Sequence, residues 1–205
     1  MSKAKEYSCV KKTKKAFELS LVSLAKDYPL NKISVKQICE KAELSRNAFY
    51  FHYSDINALI QDIEDTMIEH IVSKFDEFRS VDFADTVLEI IKFLTDYLCE
   101  NRDTTLMLID SSYSTSFTKR INKAFSDFYF EYFKLYHKTD FRGTYDFFYE
   151  FVSCGYCGML VQWLHDPGEI SKRHFVRLSY TFVKRLMVVD DYKNFDDFKK
   201  KIENN

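Results

Sequence analysis

The chain has 205 residues, of which 46% are hydrophobic and 30% charged, so it can bury a sizeable core and is too apolar for a disordered chain. Four glycines and two prolines exclude a turn-rich β architecture at this length. No run of 18 apolar residues suggests a membrane-spanning helix.

The N-terminal stretch "MSKAKEYSCVKKTKKAF" lacks an apolar signal core. The five cysteines are an odd number with no disulfide spacing, which suits the reducing cytoplasm. Net charge is −1, but residues 1–56 carry 11 Lys/Arg against 6 Asp/Glu and residues 57–205 carry 19 against 25. A basic head on an acidic body suggests that the head alone meets a polyanion. A solvated, lysine-rich terminus would give the same count.

The first predicted helix runs from Thr13 to about Asp27, with Phe17, Leu21, Leu24 and Tyr28 as its buried face and Pro29 as its stop. Ser34 then caps a short second helix, with Gln37 completing a capping box and Val35, Ile38 and Ala42 as the apolar stripe. "AELS" is a turn, and Ser45 caps the third helix. On that helix Phe49 and Tyr53 point inward, while Asn47, Phe51 and Ser54 lie opposite and Ala48 and Tyr50 flank them.

Ser54 or Asp55 caps a fourth helix whose apolar positions are Leu59, Ile63, Met67, Ile71 and Phe75. Segments 83–101, 104–116, 117–138, 144–165 and 171–189 read as further amphipathic helices, followed by a polar tail. The fold class is therefore all-α, with a small head, a connecting helix and a larger helical body.

Two short helices joined by a tight turn, the second capped and polar outside, form a helix-turn-helix over about residues 34–53. Such a second helix enters the DNA major groove. Arg46 matches guanine or phosphate, Asn47 adenine, and Phe51 a thymine methyl. Tyr50, His52, Lys36, Thr13 and the helix starts at Ser34, Val35, Ser45 and Ala48 suit phosphate contacts. A surface helix whose aromatics cover its neighbours would show the same pattern.

Residues 13–60, from "TKKAFELSL" through "SVKQICEKAELSRNAFYFHYSDINALI", resemble the DNA-binding domain of TetR-type (TetR/AcrR) transcriptional regulators. The matching features are Ser34-Val35 with Ile38, Ser45, "FYFHY" and "SDINAL". "CGYCGMLVQWLHDPGEIS" is similar to the penultimate helix and following loop of one branch of that family. The resemblance implies a DNA-binding domain over 1–56, a connecting helix over 57–75 and an effector-binding and dimerisation domain over 76–205.

It further implies a non-enzymatic repressor, bound as a homodimer to a near-palindromic site on double-stranded DNA and released by a small-molecule effector. Two departures stand out: Glu43 where many members have glycine, and Ile56 where many have lysine. They favour an alternative, a TetR-shaped co-regulator that acts through a protein partner without operator binding of its own.

The expected dimer interface is Gly155, Gly158, Leu160, Trp163, Phe175, Leu178, Phe182 and Leu186; the same residues could instead form the subunit's own core. A ring-lined ligand pocket is expected at Phe125, Phe128, Tyr129, Tyr132, Phe148 and Phe151, where core packing is the competing explanation. Cys154 and Cys157 form a CxxC inside an apolar helix with no second ligand pair, so no metal and no cofactor is expected. HExxH, GxSxG, GxGxxG and phosphate-binding glycine loops are absent from the sequence.

Overall fold

Long stretches without glycine or proline leave the backbone free to pair within itself, and the chain is helical wherever it is described. The computed structural model describes residues 3–78, 83–110, 114–137 and 142–187. Its helices are α1 (Lys3–Ala25), α2 (Val35–Ala42), α3 (Arg46–His52), α4 (Ile56–Ser73), α5 (Phe83–Glu100), α6 (Arg102–Ile109), α7 (Ser114–His137), α8 (Arg142–His165) and α9 (Lys172–Met187). No strand occurs among the described residues. Helical 3-10 turns at Leu30–Lys32 and Phe75–Phe78 shape two of the connections.

Two compact units emerge. The first comprises Met1–Glu77 and Tyr97–Glu131, the second Phe78–Asp96 and Tyr132–Asn205. In the first unit α1 packs on α2, α4 and α6, and α2 packs on α3. Phe17, Leu21, Ile38, Phe49, Leu59 and Leu108 are fully buried there. Each such side chain contributes about 1.5–3 kcal/mol of transfer free energy. Phe17 meets Phe49 edge-on at 5.2 Å and Tyr53 at 6.4 Å, so three aromatic rings lock α1 to α3. The expected stripe of α4 is buried throughout, from Leu59 and Ile63 to Met67, Ile71 and Phe75.

In the second unit α8 packs on α9. Trp163 stacks on Phe175 at 4.7 Å, and its indole N–H donates to the Ile170 carbonyl at 2.8 Å. The α8–α9 turn holds Gly168 at φ 51, where its N–H donates to the Asp166 carboxylate at 3.0 Å. A side chain there would be strained, which is the reason for glycine.

Several boundaries differ from the sequence expectation. α1 starts at Lys3 instead of Thr13, because helix-favouring Lys, Ala and Glu carry it through a stretch with no apolar rhythm. It ends at Ala25, so its last turn closes before Pro29 is reached. Tyr28 is 48% exposed and lies off the buried face. On α2 the buried pair is Ile38 and Cys39, with Val35 and Ala42 half-buried. Asp55, and not Ser54, caps α4 by accepting the Ala58 N–H. α6 and α7 begin at Arg102 and Ser114, two and three residues ahead of expectation. The expected polar tail lies outside the described residues.

Candidate nucleic-acid interface

The α2–α3 pair is built by local chemistry. The Ser34 hydroxyl accepts the Gln37 N–H at 3.3 Å, and the Gln37 carbonyl oxygen accepts the Ser34 N–H at 2.9 Å, completing the capping box. Glu43 ends α2 in the left-handed region at φ 55 and ψ 36, and Leu44 N–H returns to the Cys39 carbonyl at 3.0 Å. This closes the helix in the way glycine usually does. The Ser45 hydroxyl then accepts the Ala48 N–H at 3.1 Å and starts α3.

The two faces of α3 part sharply. Phe49 is 0% exposed, whereas Tyr50 is 57% and Phe51 80% exposed. Arg46 and Asn47 are also exposed, and Ala48 and His52 are half-buried. His52 sits with its ring edge-on to Phe51 at 5.0 Å. A bare phenylalanine in water gains nothing for the fold, so the outer face of α3 presents hydrogen-bonding and apolar groups without serving the core.

Of the other expected DNA contacts, Ser34 and Lys36 are exposed and Val35 is half-buried. Lys36 Nζ is 3.7 Å from Glu40, a loose pair that a phosphate can displace. Thr13 is half-buried and its hydroxyl donates to the Cys9 carbonyl at 3.1 Å, so that donor already has a partner within α1. Ile56 is half-buried at the start of α4.

A polar joint secures this surface. Asp62 on α4 accepts from the Tyr53 hydroxyl and from Lys14 Nζ, each at 2.8 Å. Burial, then the neighbouring Asp62, push the Tyr53 phenol upward. Two residues along, Glu64 is 4% exposed, with one oxygen 3.4 Å from Arg120 of α7 and the other without a hydrogen bond. Arg120 also holds Asp65 at 2.5 Å. Burial raises the Glu64 carboxyl against the lowering effect of Arg120. The sequence analysis missed this cluster, although Glu64 falls within the apolar stripe between Ile60 and Met67, where an acid signals a buried partner.

The residues expected at a dimer interface divide. Leu160 and Phe175 are buried within the second unit itself, while Trp163, Leu178 and Leu186 are half-buried and Phe182 is 46% exposed. A Cβ added at Gly155 or Gly158 would meet open space, so nothing within the subunit requires glycine there. Phe147 and Phe151, 83% and 69% exposed, add apolar surface on α8. Phe151 and Phe182 help line an apolar groove of about 610 Å³ between α8 and α9.

The expected pocket residues do not form one set. Phe125, Phe128 and Tyr129 are buried in the first unit, where Phe75 meets Phe125 at 4.5 Å and Phe128 at 4.9 Å. Phe148 is half-buried in the second unit, as part of α8. The side chain of Tyr132 lies outside the described residues. Burial pushes the Cys157 thiol up to about 12, which removes it from thiolate chemistry at neutral pH. Cys154 is exposed, and burial with the Glu150 contact raises it as well. No cluster of three or more metal-ligating side chains occurs among the described residues. No described helix is long and apolar enough to cross a membrane.

The helix-turn-helix thus sits ahead of a helical body, and the body carries its own signature. Residues 85–185 match a TetR-type family model described as a transcriptional regulator C-terminal region. The chain belongs to the TetR family of transcriptional regulators. Members of the TetR family are regulators and not enzymes. The chain is also 36% identical over 64 residues to the uncharacterized HTH-type transcriptional regulator YxbF of Bacillus subtilis (strain 168). That match covers 31% of this chain and 17% of YxbF.

Among solved structures, a putative TetR-family regulator from Syntrophomonas wolfei superposes with a TM-score of 0.69 at 14% identity, over 87% of this chain and 96% of that one. A TetR regulator from Streptococcus agalactiae 2603V gives 0.61 at 21% identity, over 89% and 99%. At these identities the likeness establishes the TetR-family fold.

Proposed function

We propose that this TetR-family regulator is a cytoplasmic repressor that binds a near-palindromic DNA operator as a homodimer. The observation that carries the reading is the split of α3: Phe49 is fully buried while Asn47, Tyr50 and Phe51 face solvent. In this reading Arg46, Asn47 and Phe51 meet base edges in the major groove. Tyr50, His52, Lys36, Thr13 and the helix starts at Ser34, Val35, Ser45 and Ala48 hold the backbone.

Residues 1–56 serve as the DNA-binding domain, 57–75 as the connecting helix and 76–205 as the effector-binding and dimerisation domain. Dimerisation joins the exposed apolar surface of α8 and α9 around Phe182, Gly155 and Gly158, so that two copies of α3 reach successive major grooves about 34–36 Å apart. A small-molecule effector acts by preferring one of two head spacings, with α4 as the lever.

The test is binding of the purified protein to the intergenic DNA upstream of its own gene across a salt series. Affinity should fall steeply with salt, because neutralising phosphates releases counterions. Phe51→Ala should abolish preference for that DNA with unfolding unchanged, whereas Phe49→Ala should cost about 3–5 kcal/mol of stability. Salt-independent binding, or none, would favour a TetR-shaped co-regulator working through a protein partner. A reporter under that promoter, repressed by the protein, checks the sign of regulation.

A further inference from the structure

α1 begins well ahead of the residues that its packing needs. Between Lys3 and Lys12 it carries Lys3, Lys5, Lys11 and Lys12 against the single acid Glu6. Ten residues add about 15 Å of helix. Between Ser8 and Ala16 no residue is buried, and Phe17 is the first to enter the core. Packing therefore gives no reason for the extension.

Its direction is fixed by two contacts. Phe17 abuts Phe49 and Tyr53, and Lys14 Nζ lies 5.5 Å over the Tyr53 ring while pairing with Asp62. α1 thus passes the C-terminal end of α3 at Lys14. Everything before Lys14 projects past that end, where Phe51 stands 80% exposed.

The lysines also differ in their partners. Lys14 is held by Asp62 and Lys15 by Glu18. Lys11 and Lys12 are exposed, and neither is ion-paired among the described residues.

We propose that the lysine-bearing extension of α1, centred on Lys11 and Lys12, is a second DNA-binding element that clamps duplex phosphates beside the bases met by α3, without regard to sequence. The inference rests on the operator-binding reading above. Flexible ammonium groups act as point charges on phosphate and carry no base code. The extension therefore strengthens binding to every duplex alike and leaves discrimination to α3.

The experiment compares the full chain with its Lys11→Gln/Lys12→Gln double variant. The probes are a duplex that the parent selects from a random library and an unrelated duplex of equal length. The slope of log affinity against log salt should be shallower by about 2 for each bound subunit, since each phosphate contact contributes about 0.9. The ratio of affinities for the two duplexes should stay within about twofold of the parent's. A steep parent with an equally steep variant overturns the clamp and leaves operator binding standing. A parent without salt-dependent binding to either duplex overturns both. A variant that loses the ratio as well shows that the extension reads sequence, which overturns its stated role.

Discussion

Tyr53 and Asp62 join the end of α3 to α4: the phenol donates to one carboxylate oxygen at 2.8 Å, and Lys14 of α1 holds the other at 2.8 Å. Three helices therefore meet on one carboxylate. Tyr53→Phe should lower stability by roughly 1.5 kcal/mol, the scale of a hydrogen bond to a charged acceptor. The midpoint of urea unfolding at constant slope reads this change.

The same contact sets an alkaline limit. The Tyr53 phenol is raised above its ordinary 10.0, first by burial and then by Asp62. A raised acid is fully stabilising below its unfolded value, and the contribution is lost as pH climbs toward the folded one. The parent should lose stability steeply above pH 10, and Tyr53→Phe should flatten part of that loss in melting curves recorded at successive pH values.

Glu64 and Arg120 supply an acid-side counterpart. Burial raises the Glu64 carboxyl above 4.5, so its contribution to stability is present below that value and declines as pH rises through the folded one. Glu64→Gln should remove this decline. Arg120→Met should destabilise by about 2 kcal/mol at neutral pH, because it strips the guanidinium from a carboxylate that is only 5% exposed. Full-strength estimates for such pairs are discounted here, since Arg120 itself is 39% exposed. Unfolding by denaturant at several pH values measures both effects.

Glu43 occupies the left-handed region that closes α2, at φ 55. Its side chain is exposed, so replacement removes strain without opening the core. Glu43→Gly should stabilise the chain by about 0.5–1 kcal/mol. The melting temperature should rise, and a fall would show that the Glu43 side chain contributes a contact of its own.

Phe182 is 46% exposed on α9, beside the groove it shares with Phe151. Phe182→Glu should convert the dimer to a monomer in sedimentation velocity while changing the monomer's stability by no more than about 0.5 kcal/mol. A parent that sediments as a monomer would end the α8–α9 dimer reading.

The sequence alone determined the elements whose causes are local. The Ser34 capping box, the Ser45 cap, the burial of Phe49 against the exposure of Phe51, and the α4 stripe follow from spacings of three and four residues on a helix. Tertiary structure decided what depends on neighbours far along the chain. Lys14 meeting Asp62, Arg120 meeting Glu64, and Phe125 turning toward Phe75 each join residues about fifty positions apart. Periodicity shows which face of a helix is apolar; which other face covers it, and which charge finds its partner there, is settled only when helices distant in sequence pack together.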